Sequence, residues 1–238
     1  MLWDGCEPDS FLFHQAFFSP DGKLILTQDD GGFVTLWDVN SGAEIWSFDV
    51  INSDGAWGIG FSPDGTTIAI AGQELHTPDP KTDIITLWST ESGEKVKTLD
   101  LRLDDQPQIL YLAFSPDGRM LLTTDKDCRL WNIDSGCEEK CFSGDLGSEV
   151  SEPSEYTYTP SMSSACFSPD SKFVLAPCVD NTVRLWDIES GREIRRFEGH
   201  SDYVGSVQIS ADGRIVLTGS SDNTVRLWDN TSGVRSYT

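Results

Sequence analysis

The chain has 238 residues, of which 39 are Asp or Glu and 17 are Lys or Arg, a formal charge of −22. This balance argues against nucleic acid and anionic membrane surfaces as partners, since both are bound through a basic footprint. Eight Trp and an apolar fraction of 38% exclude a disordered chain, and no apolar run reaches the length of a membrane span.

In chain order, strand-like runs recur between turns. Segment 1–4 (MLWD) reads as the end of one strand and 10–14 as the next, so that 1–14 is a partial unit. Full copies follow at 15–48, 57–99, 109–142, 163–197 and 203–238, and 1–238 reads as one domain. Each copy has two anchors. The first is a hairpin turn: FSPDG at 18–22, 61–65 and 114–118, FSPDS at 167–171 and ISADG at 209–213. Pro presets φ at the second turn position and Gly closes the fourth, as a type I turn requires. The second anchor is a Trp ending a strand: Trp37, Trp88, Trp131, Trp186 and Trp228, with Trp3 ahead of them. The turn anchors start 43, 53, 53 and 42 residues apart, a period that signals stacked supersecondary units. Alternating β-branched and aromatic residues bounded by Asp, Asn, Gly and Ser predict antiparallel strands throughout, an all-β chain.

Two insertions interrupt the period. Segment 72–83 (GQELHTPDPKTD) adds eight residues and holds His76, a solvated loop histidine or a partner contact. Segment 143–162 (SGDLGSEVSEPSEYTYTPSM) belongs to a connection with 13 extra residues. It contains four acids and no Lys or Arg, which predicts a mobile loop, with Tyr156 and Tyr158 as partner anchors or plain linker residues. The cysteines, Cys6, Cys128, Cys137, Cys141, Cys166 and Cys178, form no C-x-x-C pair, and only three His accompany them. Metal ligation therefore has little support, and the thiols fit a reducing cytoplasm. The opening MLWDGCEPDS lacks the basic and apolar regions of a secretory leader, so a cytoplasmic location is expected.

On these anchors the chain resembles the WD-repeat (beta-transducin repeat) family. The resemblance implies a β-propeller of four-stranded blades, strands a to d from inside to outside: about five blades plus the partial one, or a fragment of a larger, seven-bladed ring. It also implies a blade-pinning tetrad of His, Ser or Thr, Asp and Trp, which the last copy matches with His200, Thr218, Asp222 and Trp228. The corresponding His positions in the other copies carry Ile51, Arg102 and Asp145. The copy with Trp186 keeps Asp180 but has Ala176 for the hydroxyl, and the copy with Trp37 keeps Thr27 but has Gly31 for the Asp. Those blades are expected to stand on apolar packing. Arg129, Arg184 and Arg226 share one position, two before Trp, which suggests a structural role.

No phosphate loop, H-x-x-x-H pair or nucleophile elbow occurs, so neither catalysis nor a cofactor is expected. The resemblance implies a scaffold that binds a protein or peptide on the face bearing the d–a and b–c loops; the acidic charge reads either as a solvated surface or as a match for a basic patch on that partner. Trp57 and Tyr111 are aromatic candidates at that rim, or else pack between blades, and the two insertions would wall a notch floored by the third blade. Two alternatives stand beside this: a sensor segment of a larger signalling ATPase or kinase, and a truncated fragment without independent function. Open sheet edges would favour self-association.

Overall fold

The computed structural model describes residues 13–29, 33–49, 58–73, 83–101, 109, 111–124, 127–142 and 164–237. Among the described residues all regular structure is β. Sheet 1 holds β1 (Phe13–Phe18), β2 (Leu24–Asp29), β3 (Phe33–Asp38) and β4 (Glu44–Asp49). Sheet 2 holds β5 (Gly58–Phe61), β6 (Thr67–Gln73), β7 (Asp83–Ser89) and β8 (Lys95–Asp100). Sheet 3 holds β9 (Tyr111–Phe114), β10 (Met120–Thr124), β11 (Cys128–Asn132) and β12 (Glu138–Phe142). Sheet 4 holds β13 (Cys166–Phe167), β14 (Phe173–Pro177), β15 (Val183–Asp187) and β16 (Glu193–Phe197). Sheet 5 holds β17 (Val204–Ile209), β18 (Ile215–Ser220), β19 (Val225–Asp229) and β20 (Arg235–Tyr237). Each sheet is a four-stranded antiparallel meander, with its strands paired in chain order. The a–b and c–d turns therefore lie at one end of every sheet. The b–c turn and the d–a connection lie at the other.

The five a–b turns share one hydrogen-bond pattern. The Ser hydroxyl donates to the Asp two residues on, at 2.7 Å for Ser19–Asp21 and at 2.6 Å for Ser62–Asp64, Ser115–Asp117, Ser168–Asp170 and Ser210–Asp212. The same Ser oxygen then accepts the N–H that opens strand b, as Leu24 N–H to Ser19 at 2.9 Å. The fourth residue turns left-handed, φ 70° at Gly22 and 58° at Ser171, the one turn where a residue with a Cβ takes that conformation. The Asp after Trp has its own local task. Asp38, Asp187 and Asp229 each accept the N–H of a Ser three residues on, closing the c–d turn at 2.7 Å.

Phe13 and His14 correct an expectation. Instead of forming the outer strand of a preceding blade, they begin β1, with Phe13 opposite Asp29. The hairpin provides the reason: β2 offers a backbone edge as far as Asp29, and β1 pairs with it from Ile25 to Asp29 past a bulge near Phe13, leaving fewer peptide groups unpaired.

The chain divides into two compact units, Met1–Leu112 and Ala113–Thr238, with the boundary inside β9. In the first, Leu26, Val34 and Leu36 of sheet 1 pack with Ile59, Ile68 and Ile70 of sheet 2. Gly58 lies so close to β9 that a Cβ there would stand 2.9 Å from Leu112 Cβ. In the second unit, Leu175, Val183, Leu185 and Phe197 of sheet 4 pack against Val204, Val207, Val216 and Trp228 of sheet 5. Phe142 meets Trp186 with ring centroids 5.6 Å apart, tying sheet 3 to sheet 4. Each such aliphatic side chain contributes about 1.5–3 kcal/mol when buried, against about 0.5–1.5 kcal/mol for one hydrogen bond. One buried aliphatic side chain thus outweighs one side-chain hydrogen bond.

Candidate partner-binding rim

The best-defined stretch of the d–a/b–c rim is in sheet 5. His200 precedes β17, Thr218 lies on β18, Asp222 in the b–c turn and Trp228 on β19. Trp228 Nε1–H donates to Thr218 Oγ1 at 2.9 Å. Thr218 Oγ1 lies 2.7 Å from His200 Nε2, and His200 Nδ1 lies 2.8 Å from Asp222 Oδ2. Since Thr218 accepts from the indole, its own proton goes to Nε2, and Nδ1–H donates to the carboxylate. The His200 ring also stands 6.0 Å from the Trp228 ring, edge to face.

Burial opposes the charge of Asp222. The hydroxyl of Thr224, the imidazole of His200 and the N–H groups of Ser201 and Thr224 outweigh it and hold the carboxyl well below the usual range. Arg226 adds its guanidinium at 3.5 Å. Sheet 4 repeats part of this group: Asp180 accepts from Thr182 Oγ1 at 2.5 Å and pairs with Arg184 at 2.6 Å, but Ala176 stands opposite Arg184 where Thr218 stands opposite Arg226. In sheet 3 Arg129 pairs with Asp127 at 3.1 Å and Glu138 at 3.0 Å. The three arginines are each paired with acids of their own sheet.

Other sheets solve the indole differently. Trp37 donates to Thr27 at 2.9 Å and Trp131 to Thr123 at 2.8 Å, both across strands b and c. Trp88 donates to Thr86 at 2.8 Å, on its own strand, because Ile70 occupies the opposite position on β6. Reading the sequence by the tetrad alone missed Thr86 and Thr123. Thr123 was recoverable from the b–c turn of that copy, which is two residues shorter than in the last.

Tyr111 opens β9, half-buried, with its backbone against Gly58. Trp57, His76, Tyr156 and Tyr158 lie outside the described residues, as do Gly31, Ile51, Arg102, Asp145 and nearly all of the two insertions that would wall the notch. Cys128 and Cys178 are buried, and burial pushes the thiols of Cys166 and Cys178 up to about 12. They stay protonated at neutral pH. Among the described residues no cluster of three His, Cys, Asp or Glu is placed to hold a metal ion.

The family described as "WD domain, G-beta repeat" matches residues 93–132, 154–187 and 191–229. A "WD repeat-containing protein WDS homolog" of Arabidopsis thaliana is 27% identical over 197 residues, 79% of this chain and 32% of its own length. A "Guanine nucleotide-binding protein subunit beta" of Zea mays is 27% identical over 196 residues, 80% of this chain and 48% of its own. "GID complex subunit 7" of Schizosaccharomyces pombe is 26% identical over 192 residues, covering 79% of this chain and 34% of its own. The chain thus spans about a third to a half of the length of these relatives. Five Trp-anchored meanders, the shared turn chemistry and these matches support a WD-repeat family for the chain.

Proposed function

We propose that the chain is a non-catalytic scaffold in the cytoplasm that receives a protein or peptide partner on the face carrying its d–a and b–c loops. The observation that carries this reading is where the long connections leave the sheets. In sheet 2 the chain departs at Gln73 and returns at Asp83, and between sheets 3 and 4 it departs at Phe142 and returns at Cys166. Both departures are at the d–a/b–c end of their own strands, while every a–b and c–d turn is short. Loops held by a rigid framework are where binding residues concentrate. The relatives support the same reading through their printed names, a subunit of a guanine nucleotide-binding protein and a subunit of the GID complex. The formal charge of −22 favours a partner with a basic patch.

The test is affinity purification from native extract with three forms of the chain: unchanged, with 74–82 and 143–163 replaced by short Gly-Ser connectors, and with Trp57→Ala plus Tyr111→Ala. Specific partners should be retained by the unchanged chain and lost from the other two. Undiminished capture by the connector form, with the fold intact by circular dichroism, would sink the proposal.

Self-association is a second reading, favoured by one observation. Leu175 and Val183 of sheet 4 pack on sheet 5, but the residues in the same register of sheet 5, Leu217 and Val225, are 37% and 60% exposed. On sheet 1, Phe18 is 67% exposed. Uncovered apolar sheet faces favour association. Light scattering over a concentration series should show mass growth that Val225→Glu abolishes; a constant monomer mass would exclude it.

A further inference from the structure

We propose that the cleft between the a–b turns of sheets 4 and 5 binds an arginine side chain presented by a protein partner. The cleft measures about 390 Å³ and lies at the opposite end of the strands from the rim described above. The inference therefore stands independently of the function proposed for that rim.

The same junction is closed elsewhere. Between sheets 1 and 2, Pro20 reaches within 3.5 Å of where a Cβ on Gly65 would stand. Between sheets 3 and 4, Asp117 N–H donates to the Ser171 hydroxyl at 3.2 Å, bridging the two turns. Between sheets 4 and 5, nothing among the described residues stands within 4 Å of the equivalent point on Gly213. Ala211 also lines this cleft where the other four turns carry Pro, which leaves its wall one ring smaller.

The lining is suited to a cation with an apolar stem. Phe173, Ile209 and Ala211 supply the apolar part, and Asp170 and Asp212 the carboxylates. The turns use only one oxygen of each acid: Oδ1 of Asp170 accepts from Ser168 and Lys172 N–H, and Oδ1 of Asp212 from Ser210 and Arg214 N–H. Those bonds hold both carboxyls below their ordinary range, so both are charged at neutral pH, and both Oδ2 atoms remain for a ligand. Lys172 and Arg214 act on these acids from outside the cleft, and among the described residues no cation lines it.

Asn230 supplies the third acceptor. Its Nδ2 donates to Gly213 O at 2.9 Å, which leaves Oδ1 buried with no hydrogen-bond partner among the described residues. A buried acceptor without a donor is a cost that an incoming N–H recovers. Acceptors from three side chains above an apolar lining match guanidinium better than ammonium. The planar fork spreads five N–H groups, and the methylene stem covers the Phe173 and Ile209 surface.

The probe is a set of capped tripeptides, Gly-Arg-Gly, Gly-Lys-Gly and Gly-citrulline-Gly, titrated into the full chain and followed by ¹H–¹⁵N spectra. Citrulline keeps the shape of arginine and removes its charge. Saturable shifts should appear for the arginine peptide at 168–173, 209–213 and 230, with affinity about tenfold above that for citrulline. Ala211→Pro, which installs the residue of the other four turns, should abolish the shifts while the rest of the spectrum stays put. Asn230→Leu should weaken binding of the arginine peptide at a temperature where circular dichroism shows the variant folded. No saturable shift, shifts centred elsewhere, or binding unchanged in Ala211→Pro would each overturn the proposal. Equal binding of the lysine peptide would overturn its assignment to arginine.

Discussion

Trp88 donates its indole N–H to Thr86, two residues earlier on the same strand, at 2.8 Å. In sheet 3 the corresponding bond crosses strands, from Trp131 to Thr123, and both residues are buried, at 2% and 3% exposure. Removing the hydroxyl should therefore cost less in sheet 2 than in sheet 3. Thr86→Val is expected to lower stability by about 0.5–1.5 kcal/mol, and Thr123→Val by about 1–3 kcal/mol, since the latter strands a buried donor. Urea denaturation followed by Trp fluorescence measures both, and equal losses would show that burial does not set the cost.

The Trp228–Thr218–His200–Asp222 chain gives a local prediction. Thr218→Val deletes its central link and should raise amide exchange across β17 to β19 while leaving sheet 1 unchanged, because repeats contact mainly their neighbours. Thr218→Ser, which keeps the hydroxyl, should restore protection. Exchange mass spectrometry resolves the two, and a uniform rise over the whole chain would refute the local account.

Asp222 predicts an acid limit. Its folded carboxyl titrates below the ordinary 3.8 because hydrogen bonds from Thr224, His200, Ser201 and Thr224 N–H outweigh burial. A depressed folded pKa gives stability that is present above the unfolded value and is lost as pH falls through the folded one. Melting temperature should thus fall as pH drops below about 4, and Asp222→Asn should flatten that part of the curve. The five turn acids also carry lowered values, so a residual slope should persist in the variant. An unchanged slope would remove Asp222 from the acid limit.

Two glycines with nearly the same backbone should respond differently to Ala. Gly22 has φ 70° and nothing among the described residues within 4 Å of the place a Cβ would take, so Gly22→Ala is expected to meet only the left-handed backbone cost of about 1–2 kcal/mol. Gly93 has φ 67°, and a Cβ there would stand 2.5 Å from the Trp46 ring. Trp46 is also held by its indole bond to Thr90 O at 3.2 Å. Gly93→Ala should cost about 1–3 kcal/mol beyond the Gly22 change, through displacement of that ring. Comparable denaturation midpoints would mean that Trp46 yields freely.

Much of this molecule is set by contacts within a few residues, and those were legible. Ser-Pro-Asp-Gly determines its own turn because Ser19, Asp21 and Leu24 bond one another over five positions. The Asp after Trp closes its c–d turn in the same way, and strand alternation follows from which side chains must leave water. The last blade's four-residue network was also readable, since His200, Thr218, Asp222 and Trp228 stand at fixed offsets in an uninterrupted copy. What the tertiary structure alone decided depends on register and on distances between sheets. Thr86 serves Trp88 because strand pairing puts Ile70, which has no hydroxyl, in the opposite place. Phe13 and His14 join β1 because β2 extends to Asp29, opposite Phe13, with a bulge between Phe13 and Gln15. The cleft beside Asn230 exists because two turns 42 residues apart stand away from each other where their counterparts touch. A turn motif specifies its own hydrogen bonds, but the gap between two such turns is set by the packing of whole sheets, which no local pattern encodes.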